Sequence, residues 1–330
     1  MKPRCLFVMD AVYFPQAFGP DELSRLSRVV DLAGAAVSGA DLATGDYRDV
    51  ELIVGSWGMP EMNAALLARL PRLQALFYAA GTVKSIATEA SWARGVRITS
   101  AALENAKPTA EFTFAEIILS LKRAWERVFL LREKQIYQQQ SDLVAGAYGA
   151  TVGLLSLGKV GSLVAQRLAT LDVSVIAYDP VVTEAEAGAL GVRLCPLEEI
   201  FARADVVSCH MPSTAQTRRL LGRDLFRRMK PGATFINTAR GIIVREEELI
   251  EVLRERPDLF AVLDVTESEP PPAGSPLFGL PNIVLTPHLA GSIGFECRRL
   301  GVMMVSEVER YLAGQPLLGE LRPEQLEILA

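Results

Sequence analysis

Late in the chain an arginine, an acid and a histidine follow one another in three separate segments. Arg240 ends Ile236-Asn237-Thr238-Ala239-Arg240, Glu269 lies in Leu263-Asp264-Val265-Thr266-Glu267-Ser268-Glu269-Pro270, and His288 lies in Thr286-Pro287-His288-Leu289-Ala290-Gly291. Arginine offers a planar fork for a carboxylate and a further donor that can polarise a carbonyl. Histidine titrates near neutral pH and can give or take an alcohol proton, and a carboxylate beside it orients the ring and favours its protonated form. The three suit reduction of a 2-oxo acid if a bound nicotinamide supplies the hydride. Each also has a plainer reading: an ion-pair partner for Arg240, loop surface for Glu269, a backbone-capping ring for His288. His210, the only other histidine, reads as strand-end packing with a backbone bond.

A hydride carrier needs its own site, and VGLLSLGKVG at 152–161 has the spacing of a dinucleotide-binding turn. An apolar run leads into Ser156-Leu157-Gly158-Lys159-Val160-Gly161, and a helix is expected over Lys159 to Ala169. Gly158 would let the backbone approach a pyrophosphate, Gly161 would let helix and sheet pack closely, and the helix N-terminus would offer amide donors at Lys159 and Val160. Asp179 closes the next apolar run at the distance expected for an acid that binds ribose hydroxyls. Pro180, Val181 and Val182 follow it and none is basic, which favours NAD over NADP. The departure is Ser156, which stands where the first glycine belongs and brings a Cβ and a hydroxyl into the turn.

The elements that must position these residues follow an α/β pattern, with short apolar runs alternating with longer helical segments. Strands are expected at Cys5 to Met9, Ala35 to Val37, Glu51 to Val54, Gln74 to Phe77 and Val96 to Thr99, with helical segments at 20–32 and 61–70. A second series runs Thr151 to Leu155, Val173 to Tyr178, Asp205 to Ser208, Ala233 to Asn237, Phe260 to Asp264 and Ile283 to Leu285. Those six strands make one Rossmann-type, doubly wound sheet, whose ligand crevice lies beyond the carboxyl ends of the strands, where the three late segments and Cys209-His210-Met211-Pro212 should converge. Pro108 is expected to open an apolar helix over Glu111 to Arg123, and Ser292 to cap another over Ile293 to Leu312. These two helical connections make a cleft between two lobes plausible. Gln135 to Asp142 is polar without an apolar period.

At 330 residues, half of them apolar, the chain suits two domains with large cores. No apolar segment reaches the roughly 18 uncharged residues of a membrane span, and Arg4 and Asp10 interrupt the N-terminal run, so a cytoplasmic protein is expected. A net charge of −5 argues against nucleic acid. Cys5, Cys195, Cys209 and Cys297 are scattered and read as buried thiols, and no Cys/His spacing suits a metal. Trp57, in Ser56-Trp57-Gly58-Met59-Pro60 after a strand, reads either as the mouth of the cleft or as a buried turn aromatic.

With HMPSTAQT (210–217), MKPGATFINTARG (229–241), LDVTESEP (263–270) and TPHLAG (286–291), the chain resembles the D-isomer-specific 2-hydroxyacid dehydrogenases, most strongly from about 105 to 300. The resemblance implies two Rossmann-like domains: a flavodoxin-like substrate lobe of 1–103 and 293–330, and an NAD-binding lobe of 104–292. It implies the same Arg240, Glu269 and His288 set, Asp264 near the nicotinamide carboxamide, and Thr217 near the ribose or phosphates. Thr238, Ala239 and Arg240 would run along the cofactor, with Pro212 and Gly291 beside it. It also implies a substrate-carboxylate loop at Gly81, Thr82 and Val83, here within Ala80-Gly81-Thr82-Val83-Lys84 and lacking a second glycine, and a homodimer whose arm includes part of Gln135 to Ala150. Some relatives carry a small non-glycine residue at the Ser156 position. The same resemblance leaves open an NAD-sensing, corepressor-like protein, or oxidation of a substrate such as a phosphonate; formate oxidation is disfavoured because Glu269 stands where formate enzymes similar to this family usually carry glutamine.

Overall fold

Alternation along the apolar runs sends side chains to both faces of two parallel sheets, so each sheet is covered on both sides. The computed structural model describes residues 1–137 and 143–327. It divides into a unit of Met1–Ala106 with the chain from Ser292 onward, and a unit of Lys107–Gly291.

In the first unit β1 (Arg4–Val8), β2 (Asp31–Leu32), β3 (Leu52–Gly55), β4 (Ala75–Tyr78) and β5 (Arg97–Ser100) run parallel in the order β2-β1-β3-β4-β5. Leu6, Val8, Ile53, Leu76 and Tyr78 enter one core, and Cys5, Phe7, Leu52, Val54 and Phe77 enter the other. Because β1 is followed on one side by β2 and on the other by β3, the winding reverses between β1 and β3.

In the second unit β6 (Thr151–Leu155), β7 (Ser174–Tyr178), β8 (Val192–Leu194), β9 (Val206–Cys209), β10 (Thr234–Asn237), β11 (Phe260–Leu263) and β12 (Ile283–Leu285) lie in the order β8-β7-β6-β9-β10-β11-β12, all parallel. The winding reverses between β6 and β9, so the turn after β6 and the His210 segment after β9 flank one crevice. A last strand, β13 (Glu320–Leu321), returns to the first sheet antiparallel to β5.

Several expectations need correction. The strand expected at Ala35 to Val37 is absent: Asp31–Leu32 pairs with β1 instead, and Val37 makes only an isolated bridge to Val8. β8 and β13 were not foreseen: among the described residues the second sheet has seven strands rather than six, and the first has six rather than five. Pro108 does not open its helix but lies inside Ala102–Leu121, whose first turn is already closed by Glu104 and Asn105 donating to the Ala101 carbonyl. Ser292 caps nothing. Its hydroxyl is buried without a partner among the described residues, and the chain passes through a short 3-10 turn at Gly294–Glu296 before the helix Cys297–Leu312, with Glu296 accepting from the Ile293 N–H. Of the stretch Gln135 to Asp142, residues 138–142 lie outside the described residues, and a helix not foreseen, Ala124–Lys134, precedes it.

Phe235 on β10 holds the strand that delivers Arg240 by packing against Phe226 at 5.1 Å and Phe201 at 6.4 Å. Phe235→Ala should cost about 3–5 kcal/mol, read as a lower urea midpoint by circular dichroism; a loss under about 1 kcal/mol would show that this cluster does not anchor the strand.

Candidate active site

The second unit places its sequence-nominated residues at the carboxyl ends of β6, β7, β9, β10, β11 and β12. After β6, Ser156 adopts φ +80°, a left-handed backbone ordinarily left to glycine, and its Cβ is accommodated within the buried turn. Its hydroxyl donates to Asp179 Oδ2 at 3.1 Å, and the Leu157 N–H donates to the same oxygen at 2.8 Å. The Val181 and Val182 N–H groups donate to Oδ1 at 2.9 and 3.1 Å. Four donors thus surround a carboxylate with about four lone-pair directions. Burial alone would raise its pKa, but the Leu157, Val181 and Val182 amides and the Ser156 hydroxyl outweigh burial and hold Asp179 below the usual carboxylate range.

The two glycines of the turn differ in what demands them. A Cβ at Gly161 would lie 2.0 Å from the Ser156 carbonyl oxygen, so close packing of helix on turn requires glycine there. A Cβ at Gly158 would meet nothing nearer than Ser156 Oγ at 3.7 Å. The space above Gly158 is open and adjoins the N-terminus of the helix Lys159–Leu168, whose first amides lack intrahelical acceptors. Lys159 is exposed and Val160 half-buried there. An open glycine face, a helix start and an acid at the end of β7 are what a dinucleotide pyrophosphate and ribose require, and the residues present fit NAD.

On the far side of the same reversal, the His210 N–H donates to the Leu155 carbonyl, and its buried ring meets Ser208 Oγ at 3.0 Å through Nε2. The strand-end packing and the backbone bond are as expected, and the ring adds a hydroxyl partner. Nδ1 is buried without a partner among the described residues, and burial lowers the imidazole pKa to about 3. Beyond it Thr217 closes the 212–217 loop, its hydroxyl donating to the Pro212 carbonyl at 2.5 Å. Thr238, after β10, is buried against Thr113 of the long helix, Oγ1 to Oγ1 2.8 Å, while Ala239 donates its N–H to Asn237 Oδ1. Neither Thr113 nor Asn237 was nominated from the sequence, since their partners are set by tertiary packing.

The catalytic candidates come together. Glu269 Oε2 lies 2.6 Å from His288 Nδ1, leaving Nε2 of a half-exposed ring without a partner among the described residues. Arg240 has a guanidinium pKa lowered by burial, opposed by the charge of Glu269, which places that acid near both. A Cβ at Gly241 would lie 2.0 Å from the Thr266 carbonyl, so the Arg240 and Glu269 loops pack backbone to backbone. Glu267, the other acid of that loop, is instead tied to Arg219 at 2.6 Å.

His288 itself sits at φ +52°. Its N–H donates to the Asp264 carbonyl at 2.9 Å, while the buried Asp264 carboxylate accepts from Thr286 Oγ1 at 2.6 Å and from the Leu289 and Ala290 N–H groups at 2.9 Å each. Asp264 is thus turned into the loop that carries His288. Gly291 ends this unit.

Trp57, Gly81, Thr82 and Val83 belong to the first unit, at the carboxyl ends of β3 and β4. Trp57 is half-buried and its ring lies 4.8 Å from Tyr13. For the N–H groups of Gly81, Thr82 and Val83 the described hydrogen bonds hold no acceptor. Cys5, Cys209 and Cys297 are buried, Cys195 half-buried, and all four are free thiols. Among the described residues no group of His, Cys, Asp and Glu could hold a metal, and no helix is long and apolar enough to cross a membrane.

Fold and turn together define an α/β protein with a Rossmann-type dinucleotide-binding unit. The chain belongs to the D-isomer specific 2-hydroxyacid dehydrogenase family: residues 115–290 match the model of that family's NAD binding domain, and NAD is its cofactor. It is 35% identical over 254 residues to a D-3-phosphoglycerate dehydrogenase of Mycobacterium leprae, covering 77% of this chain and 48% of that protein. It is 32% identical over 249 residues to a glyoxylate reductase of Korarchaeum cryptofilum, covering 74% of this chain and 75% of that one. The chain thus spans about half the length of the phosphoglycerate enzymes it matches. In fold it is similar to apo D-mandelate dehydrogenase of Rhodotorula graminis, with a TM-score of 0.83 at 24% identity over 98% of each chain.

Two outcomes follow from this geometry. Unfolded, the His210 imidazole titrates near 6.5, against about 3 in the fold. Between those values the unfolded chain binds the extra proton, so the stability tied to the neutral ring is complete above pH ~6.5 and is lost as pH falls toward ~3. Relative to His210→Asn, the wild type should lose about 2 kcal/mol of unfolding free energy between pH 7 and 5; parallel pH profiles would contradict this. Ser156→Gly should release one Asp179 acceptor position and relieve a left-handed residue, lowering the NADH dissociation constant about threefold by calorimetry. An unchanged or higher constant would mean that the turn binds equally well around its serine.

Proposed function

We propose that this chain is an NAD-dependent oxidoreductase that interconverts a 2-oxo acid and a D-2-hydroxy acid. The observation that carries this reading is the 2.6 Å contact between Glu269 and His288 Nδ1, with Nε2 open and half-buried Arg240 within electrostatic reach of the same acid. Arg240 binds the substrate carboxylate and polarises the carbonyl. His288 holds a proton at Nε2 for the carbonyl oxygen and recovers it in the reverse direction, while Glu269 fixes the ring and stabilises the imidazolium. Bound nicotinamide supplies the hydride.

Ser156, Gly158, Lys159, Val160 and Gly161 form the pyrophosphate turn, with Asp179 for the ribose, in this assignment. Pro212, Thr217, Thr238, Ala239, Asp264 and Gly291 line the rest of the cofactor's path. Substrate binding falls to the unit formed by residues 1–103 and 293–330, where the open amides of Gly81, Thr82 and Val83 suit a carboxylate and Trp57 suits its substituent. Four free thiols favour a cytoplasmic setting. Exposed Leu131, Ile136 and Tyr137, at and beyond the helix Ala124–Lys134, favour a homodimer.

Purified protein should oxidise NADH in the presence of glyoxylate, hydroxypyruvate, pyruvate or a bulkier 2-oxo acid. His288→Ala should lower kcat by about 10²–10⁴ with little change in KM, and Arg240→Ala should lower kcat and raise KM together. No turnover with any of these acids, despite measured NADH binding, would defeat the proposal.

A further inference from the structure

The first unit has its own reversal of winding, between β1 and β3, and in open α/β sheets that is where a crevice forms beyond the strand ends. Three side chains crowd there. Asp10 follows β1 and Trp57 follows β3, and the two segments are joined by the Asp10 N–H donating to the Trp57 carbonyl at 2.8 Å. Tyr13, whose N–H donates to the Asp10 carbonyl at 3.0 Å, brings its ring to 4.8 Å from that of Trp57 at 48°. Both rings are half-buried. The Asp10 carboxylate is exposed and has no hydrogen-bond or ion-pair partner among the described residues. Gly58 makes room for it: a Cβ there would lie 2.3 Å from Asp10 Oδ1.

One strand further along, past β4, lie the three amides of Gly81, Thr82 and Val83. Neighbouring strands are about 4.8 Å apart, so a carboxylate held past β4 stands roughly 5–10 Å from the pair over β3 and β1. Glyoxylate has no substituent to span that distance, and pyruvate has only a methyl group. A flat ring one or two bonds from the carbonyl does span it, and would lie against Tyr13 and Trp57. At the far end Asp10 accepts a hydrogen bond from a hydroxyl on such a ring and repels a phosphate or carboxylate.

We infer that Tyr13, Trp57 and Asp10 form the substituent-recognition site of this chain, and that its substrates are aryl-bearing 2-oxo acids with a hydrogen-bond donor on the ring, not phosphorylated three-carbon acids. This rests on the oxidoreductase reading above. It sets the chain apart from the function in the name of its phosphoglycerate relatives.

Initial rates of NADH oxidation with 4-hydroxyphenylpyruvate, phenylpyruvate, glyoxylate and 3-phosphohydroxypyruvate test it. The 4-hydroxyphenyl acid should exceed glyoxylate in kcat/KM by roughly 10-fold or more, and the phosphorylated acid by roughly 100-fold. Trp57→Ala and Tyr13→Ala should each lower the ratio of aryl acid to glyoxylate by about 10-fold, and Asp10→Asn should bring the two aryl acids to within about 2-fold of one another. Melting temperatures show which variants fold, and the wild-type ranking decides the matter by itself if one does not. Glyoxylate turnover with no aryl advantage, or preference for the phosphorylated acid, overturns this inference and leaves the oxidoreductase reading standing. No turnover of any 2-oxo acid overturns both.

Discussion

A single buried carboxylate governs the geometry of the second unit. Asp264, at the end of β11, accepts from Thr286 Oγ1 and from the Leu289 and Ala290 amides, while its own carbonyl accepts from His288. An ionised group out of water is costly unless its lone pairs are used, and three donors from one short loop use them. The loop must therefore wrap around Asp264, which drives His288 into a left-handed backbone and turns its ring toward Glu269. Histidine tolerates that conformation better than a branched residue would. The neighbouring loop is fitted to the same arrangement, because only glycine at 241 lets the Arg240 and Glu269 segments approach to backbone contact.

The cofactor turn obeys the same logic with a different acid. Asp179 gathers the amides of its own loop and the serine hydroxyl of the preceding strand's turn, so the β6 and β7 ends are locked together before any ligand arrives. The missing glycine is replaced by a residue whose hydroxyl gives something back to the turn. The glycine that cannot be replaced is Gly161, because the Ser156 carbonyl occupies the space of its Cβ.

The central strands of both sheets were legible in the sequence because burial on two faces produces unbroken apolar runs: β6 matches its expected bounds residue for residue. At the edges β12 was foreseen as well, but β2, β8 and β13 were not. β8 is three residues long with an exposed Arg193, and β13 is two residues, so neither presents such a run. At β2 the apolar Ala35 to Val37 looked stronger than Asp31–Leu32, but pairing with β1 takes the residues that the end of the helix Pro20–Val29 delivers to it. Arg240, Glu269 and His288 could be nominated from the sequence because the proposed chemistry is carried by residue type. The inward turn of Asp264, the Ser208–His210 pair and the Thr113–Thr238 contact were not, since each depends on which segments the fold places side by side.

Asp264, through the loop it gathers, sets His288 against Glu269. With only two histidines in the chain, selective ¹⁵N-histidine labelling resolves both rings. One strongly deshielded Nδ1–H resonance, from His288 in its short contact with Glu269, is expected in the wild type and should disappear in Asp264→Asn while the protein stays folded, because an amide cannot accept from all three donors. Persistence of that resonance in the folded Asp264→Asn protein, or its absence from the wild type, would contradict it.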